Sequence, residues 1–185
     1  MTQSTSEQMR KWRGPAVFSF GFRPFFLFGA VWAAVAMALW IAMLSGRATL
    51  PTRFDPASWH AHEFLFGYLG AIIAGFLLTA VPNWTGRLPM VGRRLVALFT
   101  LWALGRIAVF FSALLPAVAA PVVDLAFPLV LGGMILREIV AGKNWRNLIV
   151  LAMLTVFTLA NSLFHYEALR GDYAAQGMGL RLGLA

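Results

Sequence analysis

The chain has 185 residues, 60% of them apolar and only 12% charged, with a mean hydropathy of +0.75 and a formal charge of +8. Water-soluble domains run at about half apolar and a quarter charged, so a soluble fold is excluded. The absence of cysteine excludes disulfides, thiolate metal sites and cysteine nucleophiles.

The N-terminal stretch up to Arg23 is polar and basic, and an apolar block follows from Phe25 to Leu44. That block is longer than the ~7–15 residues of a secretory signal core, so it reads as an uncleaved first span. A helix must keep about 20 residues apolar to cross a bilayer. Five blocks meet that length: Pro24–Leu44, Trp59–Val81, Leu95–Leu115, Pro121–Val140 and Leu148–Ala168. A sixth begins near Ala174 and is read as a truncated span, with a short interfacial helix as the alternative. The expected fold is an all-α, polytopic transmembrane helix bundle of five full spans plus a truncated sixth. Residues 1–22 form a cytoplasmic N-terminal segment and residues 23–185 a single transmembrane domain. There is no internal repeat and no low-complexity segment.

Several ends are marked locally. Asp55-Pro56 predicts a helix start, with Asp as N-cap and Pro at the first helical position. The string Val81-Pro82-Asn83-Trp84-Thr85-Gly86 predicts a helix stop, and Gly142 a C-terminal cap of the fourth block.

The basic residues sit in short tracts between the blocks, which argues against a nucleic-acid surface and makes them topology signals. Arg10, Lys11, Arg13, Arg23, Arg87, Arg93, Arg94, Arg137, Lys143 and Arg146 fall on one side, against Arg47, Arg53 and Arg170 on the other. The excess places the N-terminus in the cytoplasm.

On that topology His60 and His62, opening the second block, and His165, closing the fifth, share the non-cytoplasmic end. Two residues apart on an α-helix is about 200°, so His60 and His62 point opposite ways. His60 shares a face with Glu63 and with the small-residue stripe Gly67, Ala71 and Gly75, suited to close helix contact. His62 shares its face with Phe66, Leu69 and Ile73, a surface able to flank a planar cofactor. Thr158, Asn161 and His165 form one polar stripe, which points inward. Imidazoles from facing helices can ligate haem iron or copper, with Glu63 and Glu167 as carboxylates that orient them. The competing reading is histidines hydrogen-bonded to water and lipid at the interface.

Arg106 lies within the third block and Asp124 about one turn into the fourth, across a short turn. They are expected to pair, over a depth mismatch of roughly 9 Å that calls for a reaching arginine or a water. The alternative is that Arg106 holds an anionic group such as a haem propionate. Pro128 and Gly132-Gly133 predict a kink in the fourth block that opens space for a ligand or serves packing. No phosphate loop, zinc-helix motif or nucleophile–His–acid set is present.

Four strings are long and unusual: Gly21-Phe22-Arg23-Pro24-Phe25-Phe26-Leu27; Trp59-His60-Ala61-His62-Glu63 with Phe66-Gly67; Ala74 through Gly86; and Asn161 through Glu167. In these the chain resembles the NnrS family of bacterial membrane proteins, over nearly all of its length from Phe20. The resemblance implies a multi-pass bacterial inner-membrane protein with haem b and copper, acting in the response to nitric oxide in denitrifying or nitrosatively stressed cells. It also implies a longer chain. Three histidines supply two haem ligands but not a three-histidine copper site as well, which would draw on missing sequence or a second copy in a homo-oligomer. The residues expected to bind cofactor or metal are His62 and His165, with His60 as runner-up and Arg106, Glu63, Asp124 and Asn161 in support. The lipid bilayer and nitric oxide are the expected partners. A cofactor-free carrier, channel or assembly subunit is the second reading.

Overall fold

The computed structural model describes residues 12–86, 89–172 and 174–185. Arg10, Lys11 and Arg87, used for topology above, lie outside them. Five long helices and one short helix follow in order: α1 Phe22–Leu44, α2 Pro56–Thr85, α3 Arg93–Phe110, α4 Ala119–Ala141, α5 Leu148–Leu169 and α6 Met178–Leu184. Among the described residues four helical segments are long and apolar enough to cross a membrane: α1, α2, α4 and Trp145–Leu169. The third expected block forms a helix of 18 residues that carries Arg93, Arg94 and Arg106.

α2 is the core helix. Just over half (56%) of its most apolar stretch is buried, against 11% in α1, so α1 turns most of its surface outward. α2 packs against α1 on one side and α4 on another, while α3 and α4 form a closely packed hairpin. The core is two clusters, one around Phe25, Leu77, Leu98, Trp102 and Ile135, the other around Phe54, Trp59, Phe66 and Phe164.

The start of α2 is as expected. Asp55 Oδ1 accepts from the Ala57 and Ser58 amides at 2.9 and 3.0 Å, with Pro56 at the first helical position. Its end falls within the expected stop string: the helix runs through Pro82, past the expected Val81, to Thr85 and is capped by Gly86, whose φ of 66° is the left-handed turn that glycine adopts freely. Gly142 is the C-cap of α4 as expected, and Lys143 after it takes the left-handed conformation. α3 stops at Phe110, five residues before the expected end, and a 3-10 turn Ser112–Leu114 follows. The segment after Ala174 is a 3-10 turn and then the seven-residue α6, packed against α5. Within α2, Glu63–Leu69 is a π-helix, wider than the α-helix assumed from the sequence.

Candidate functional site: a buried His–Asp–His centre

The ends of α2, α3, α4 and α5 that meet at one end of the bundle carry its buried polar groups. His62, Glu63, Arg106, Asp124, Asn161 and His165 are each at most 4% exposed. They form one network. Burying a charge is costly unless it is paired and hydrogen-bonded, and here the charges answer one another.

Arg106 is the hub. Its Nη1 donates to Glu63 Oε1 and Oε2 at 3.0 and 2.9 Å, and its Nη2 donates to Asp124 Oδ1. The expected depth mismatch is absent. Because α3 ends at Phe110, Arg106 lies about 6 Å from the helix end, and Asp124 lies about 7.5 Å into α4. Both terminal nitrogens are committed to protein carboxylates; only Nε is buried without a partner. Two glycines admit this contact. A Cβ on Gly67 would collide with Arg106 Nη1, and one on Gly105 would sit 2.9 Å from Asp124 Oδ1 and 3.3 Å from its Cα. Gly67 belongs to the small-residue stripe read from the sequence, and below it Ala71 and Gly75 meet α1 at Gly29 and Phe26.

Glu63 faces donors only. Trp32 Nε1 donates to its Oε2 at 2.6 Å, and its Oε1 lies 3.0 Å from His62 Nδ1. His62 therefore presents Nδ1–H to Glu63 and turns Nε2 inward. Asp124 Oδ2 accepts from Asn161 Nδ2 at 2.8 Å and lies 3.0 Å from His165 Nε2 and 3.3 Å from His62 Nε2. The donation to Asp124 sets the Asn161 amide, so its Oδ1 faces His62 Nε2 at 3.1 Å. Two oxygen acceptors thus converge on His62 Nε2, while Glu63 already holds the Nδ1 proton. One arginine against two carboxylates leaves the network one positive charge short. A cation between His62 Nε2 and Asp124 Oδ2, proton or metal ion, completes it.

His62, Asp124 and His165 each offer one ligand atom, all within 4.8 Å of one another and all buried. The three come from α2, α4 and α5, so one chain assembles a three-donor set without a third histidine. Glu63 behind His62 is the carboxylate that commonly orients a ligating imidazole. Aromatic rings close the site. Phe54 stacks on His62 with centroids 5.3 Å apart, and Phe66 and Phe164 flank it at 5.3 and 5.5 Å. Arg53 holds that lid, donating from Nε and Nη2 to the Ser112 and Leu115 carbonyls at 2.9 Å.

Haem and a single ion differ in fit. The His62 and His165 rings meet nearly edge to face, with centroids 4.9 Å apart, both on one carboxylate oxygen. Axial ligation by this pair needs a macrocycle between the rings, and the packing has no slot for one. Two imidazoles and a carboxylate fit an ion of the copper, zinc or iron type.

The structure separates the other expected residues. His60 stacks on Trp40 of α1 at 3.8 Å, its Nδ1 buried without a partner, and stands apart from Glu63, which pairs with His62 instead. Glu167 does not serve His165; it accepts from the Met178 and Gly179 amides at 2.7 and 3.3 Å, fixing the start of α6. Two participants were not foreseen: Trp32, and Trp102, whose Nε1 donates to the Gly67 carbonyl at 3.0 Å. Both are tryptophans well inside apolar blocks, away from the interfaces where that residue usually gathers.

Apolar helices around a buried His–Asp–His group, a donor set of metal-ligand type, define a helical membrane protein with a polar centre inside it. The family model described as NnrS protein matches residues 16–185, and the chain belongs to the NnrS family. No curated protein and no solved structure matches the chain.

Proposed function

We propose that this chain is a multi-pass bacterial inner-membrane protein of the nitric oxide response that works through a metal ion held by His62, Asp124 and His165. Family membership supports the nitric oxide role. The observation that carries the metal is the convergence of His62 Nε2, Asp124 Oδ2 and Asn161 Oδ1 around a position that calls for positive charge. A bound metal supplies a coordination site for a small ligand. The chain's own groups do the rest. Glu63 holds the His62 ring, Arg106 holds both carboxylates, Asn161 braces Asp124, and the phenylalanines exclude water.

Copper is the family-implied ion this donor set can accept. Haem b, the other group the resemblance implies, has no seat between His62 and His165 and is not part of this reading. The carrier or channel reading predicts polar groups distributed through the bundle's depth, whereas the buried ionisable groups among the described residues cluster at one end.

The test is metal analysis and an absorption spectrum of the detergent-purified full chain after reconstitution with copper or ferrous iron. One tightly held ion in the wild type, lost in the His62→Ala/His165→Ala double variant and in Asp124→Asn, is the expected result. Cells carrying those variants should lose any nitric oxide tolerance the wild type confers. A wild type that retains no ion overturns the reading.

A further inference from the structure

The outer wall of the α3–α4 hairpin carries a groove of about 480 Å³ lined by apolar side chains, a size typical of small-molecule clefts. Leu104, Ile107, Ala108 and Phe111 form one stripe along α3, spaced three and four residues apart and about 10 Å long. Ala108 is buried and makes the floor, and the other three stand exposed beside it. Val123 lines the groove from α4, and Leu115 lines it from the turn between the helices.

Inside a bilayer an apolar groove gains little from being apolar, because lipid tails are as apolar as leucine. What selects an occupant is the charge at its end. Arg53 is exposed and donates from Nε to the Ser112 carbonyl and from Nη2 to the Leu115 carbonyl, each at 2.9 Å. Leu115 is also a groove residue, so the guanidinium sits at the groove's mouth. Those two bonds use one edge of the guanidinium and fix its plane. The edge formed by Nη1 and the second Nη2 hydrogen makes no bond among the described residues. The charge is not answered there either. Residues 45–55 and 111–120 contain one carboxylate, Asp55, and it is committed to the Ala57 and Ser58 amides. A pre-oriented pair of N–H donors is the geometry that takes two phosphate oxygens.

We propose that this groove seats an acyl chain of an anionic phospholipid whose phosphate is held by Arg53. The depth agrees: Arg53 lies where α3 has ended and the chain turns at the end of the bundle, the level of headgroups, and the groove runs from there along α3. A second copy of this chain is the competing occupant. It would fill the groove with side chains yet would also have to bring a carboxylate to Arg53, whereas a phospholipid carries phosphate and tail together in this order. A zwitterionic headgroup brings its own cation to compete with the guanidinium, so a net negative headgroup is favoured.

The experiment uses the full chain in detergent micelles titrated with phosphatidylglycerol or phosphatidylcholine, with bound lipid counted by native mass spectrometry. The expected result is one retained phosphatidylglycerol per chain at concentrations where phosphatidylcholine is lost. Arg53→Gln should weaken phosphatidylglycerol roughly fivefold, the contribution of one basic side chain at an anionic membrane surface. Ile107→Trp, which fills the groove and leaves the Arg53 bonds intact, should weaken it as well. Leu129→Trp, equally exposed on α4 but outside the groove, should not. Phosphatidylglycerol should also raise the Tm of the wild type, as a ligand of the folded state does, and not that of Ile107→Trp. Equal retention of the two lipids overturns the proposal, and so does unchanged phosphatidylglycerol affinity in Ile107→Trp, which decides the matter even if Arg53→Gln fails to fold. A lipid-free dimer that Ile107→Trp breaks would assign the face to a second copy and overturns it too.

Discussion

Arg106 bridges Glu63 and Asp124 with its two terminal nitrogens, and among the described residues no other arginine or lysine is paired with either carboxylate. Arg106→Leu therefore strands two buried anions. Removing one partner of a buried ion pair costs about 3–5 kcal/mol, which in a chain of this size lowers Tm by on the order of 10 °C. Thermal unfolding of the purified variant in detergent checks this, and a shift within error of zero would show that the carboxylates are not held as ions. Arg106→Lys should recover only part of the loss, because one ammonium cannot span both carboxylates as the guanidinium fork does. At this scale much was legible in the sequence. His62, Glu63, Arg106, Asp124, Asn161 and His165 stand out because a polar group inside an apolar block is expensive and rarely idle. Trp32 does not stand out. An indole in a span reads as packing surface, and its value as a donor exists only once Glu63 is placed 2.6 Å away. The sequence put Glu63 on the His60 face of the helix, whereas its carboxylate is held by His62 Nδ1, Trp32 and Arg106, contacts that only the tertiary packing supplies.

The elements bring those residues to one depth. Four helix ends converge, and the close crossing of α3 and α4 at Gly105 lets Arg106 reach Asp124 directly. Gly105→Leu should force the two helices apart at that point. Overpacking of this kind costs about 1–3 kcal/mol, and here it should also reduce metal content, because Asp124 is displaced from the histidines. Tm and metal analysis on one sample separate this from a purely structural defect: a lowered Tm with full metal occupancy would mean the α3–α4 crossing does not set the Asp124 position. Four of the five helical blocks were visible in the sequence within a few residues, since hydropathy and the Asp55-Pro56 cap mark them. The end of α3 was not. Phe111 to Leu115 remain apolar, so composition carries the helix on, whereas the chain leaves it at Phe110 and folds Ser112 against Thr52 and the Arg53 amide. A tertiary contact decides that boundary, and with it the level at which Arg106 sits.

For the molecule as a whole, the orientation of the bundle decides which compartment the His62–Asp124–His165 group faces. His62, Asp124 and His165 sit at the end that carries the Ser45–Asp55 loop and the turn after α5, and the opposite end carries the Gly142–Asn144 turn. Among the described residues the basic side chains concentrate at that opposite end, where Arg13, Arg23, Arg93, Arg94, Arg137, Lys143 and Arg146 make seven against Arg47, Arg53 and Arg170, and cytoplasmic loops hold such an excess. The His62–Asp124–His165 group is thus expected near the non-cytoplasmic surface. Because the chain has no cysteine, the orientation can be read on a clean background with single exposed replacements. Thr49→Cys should react with a membrane-impermeant maleimide in intact, outer-membrane-permeabilised cells. Ala141→Cys, at the end of α4, should react only after lysis. The reverse pattern would put the centre on the cytoplasmic side, and the Lys and Arg tracts would then need a role other than topology. Arg53 already shows one such role, since it ties the Phe54 lid to the α3–α4 turn. Its positive charge at the minority end is therefore explained by structure, which strengthens the inference drawn from the rest.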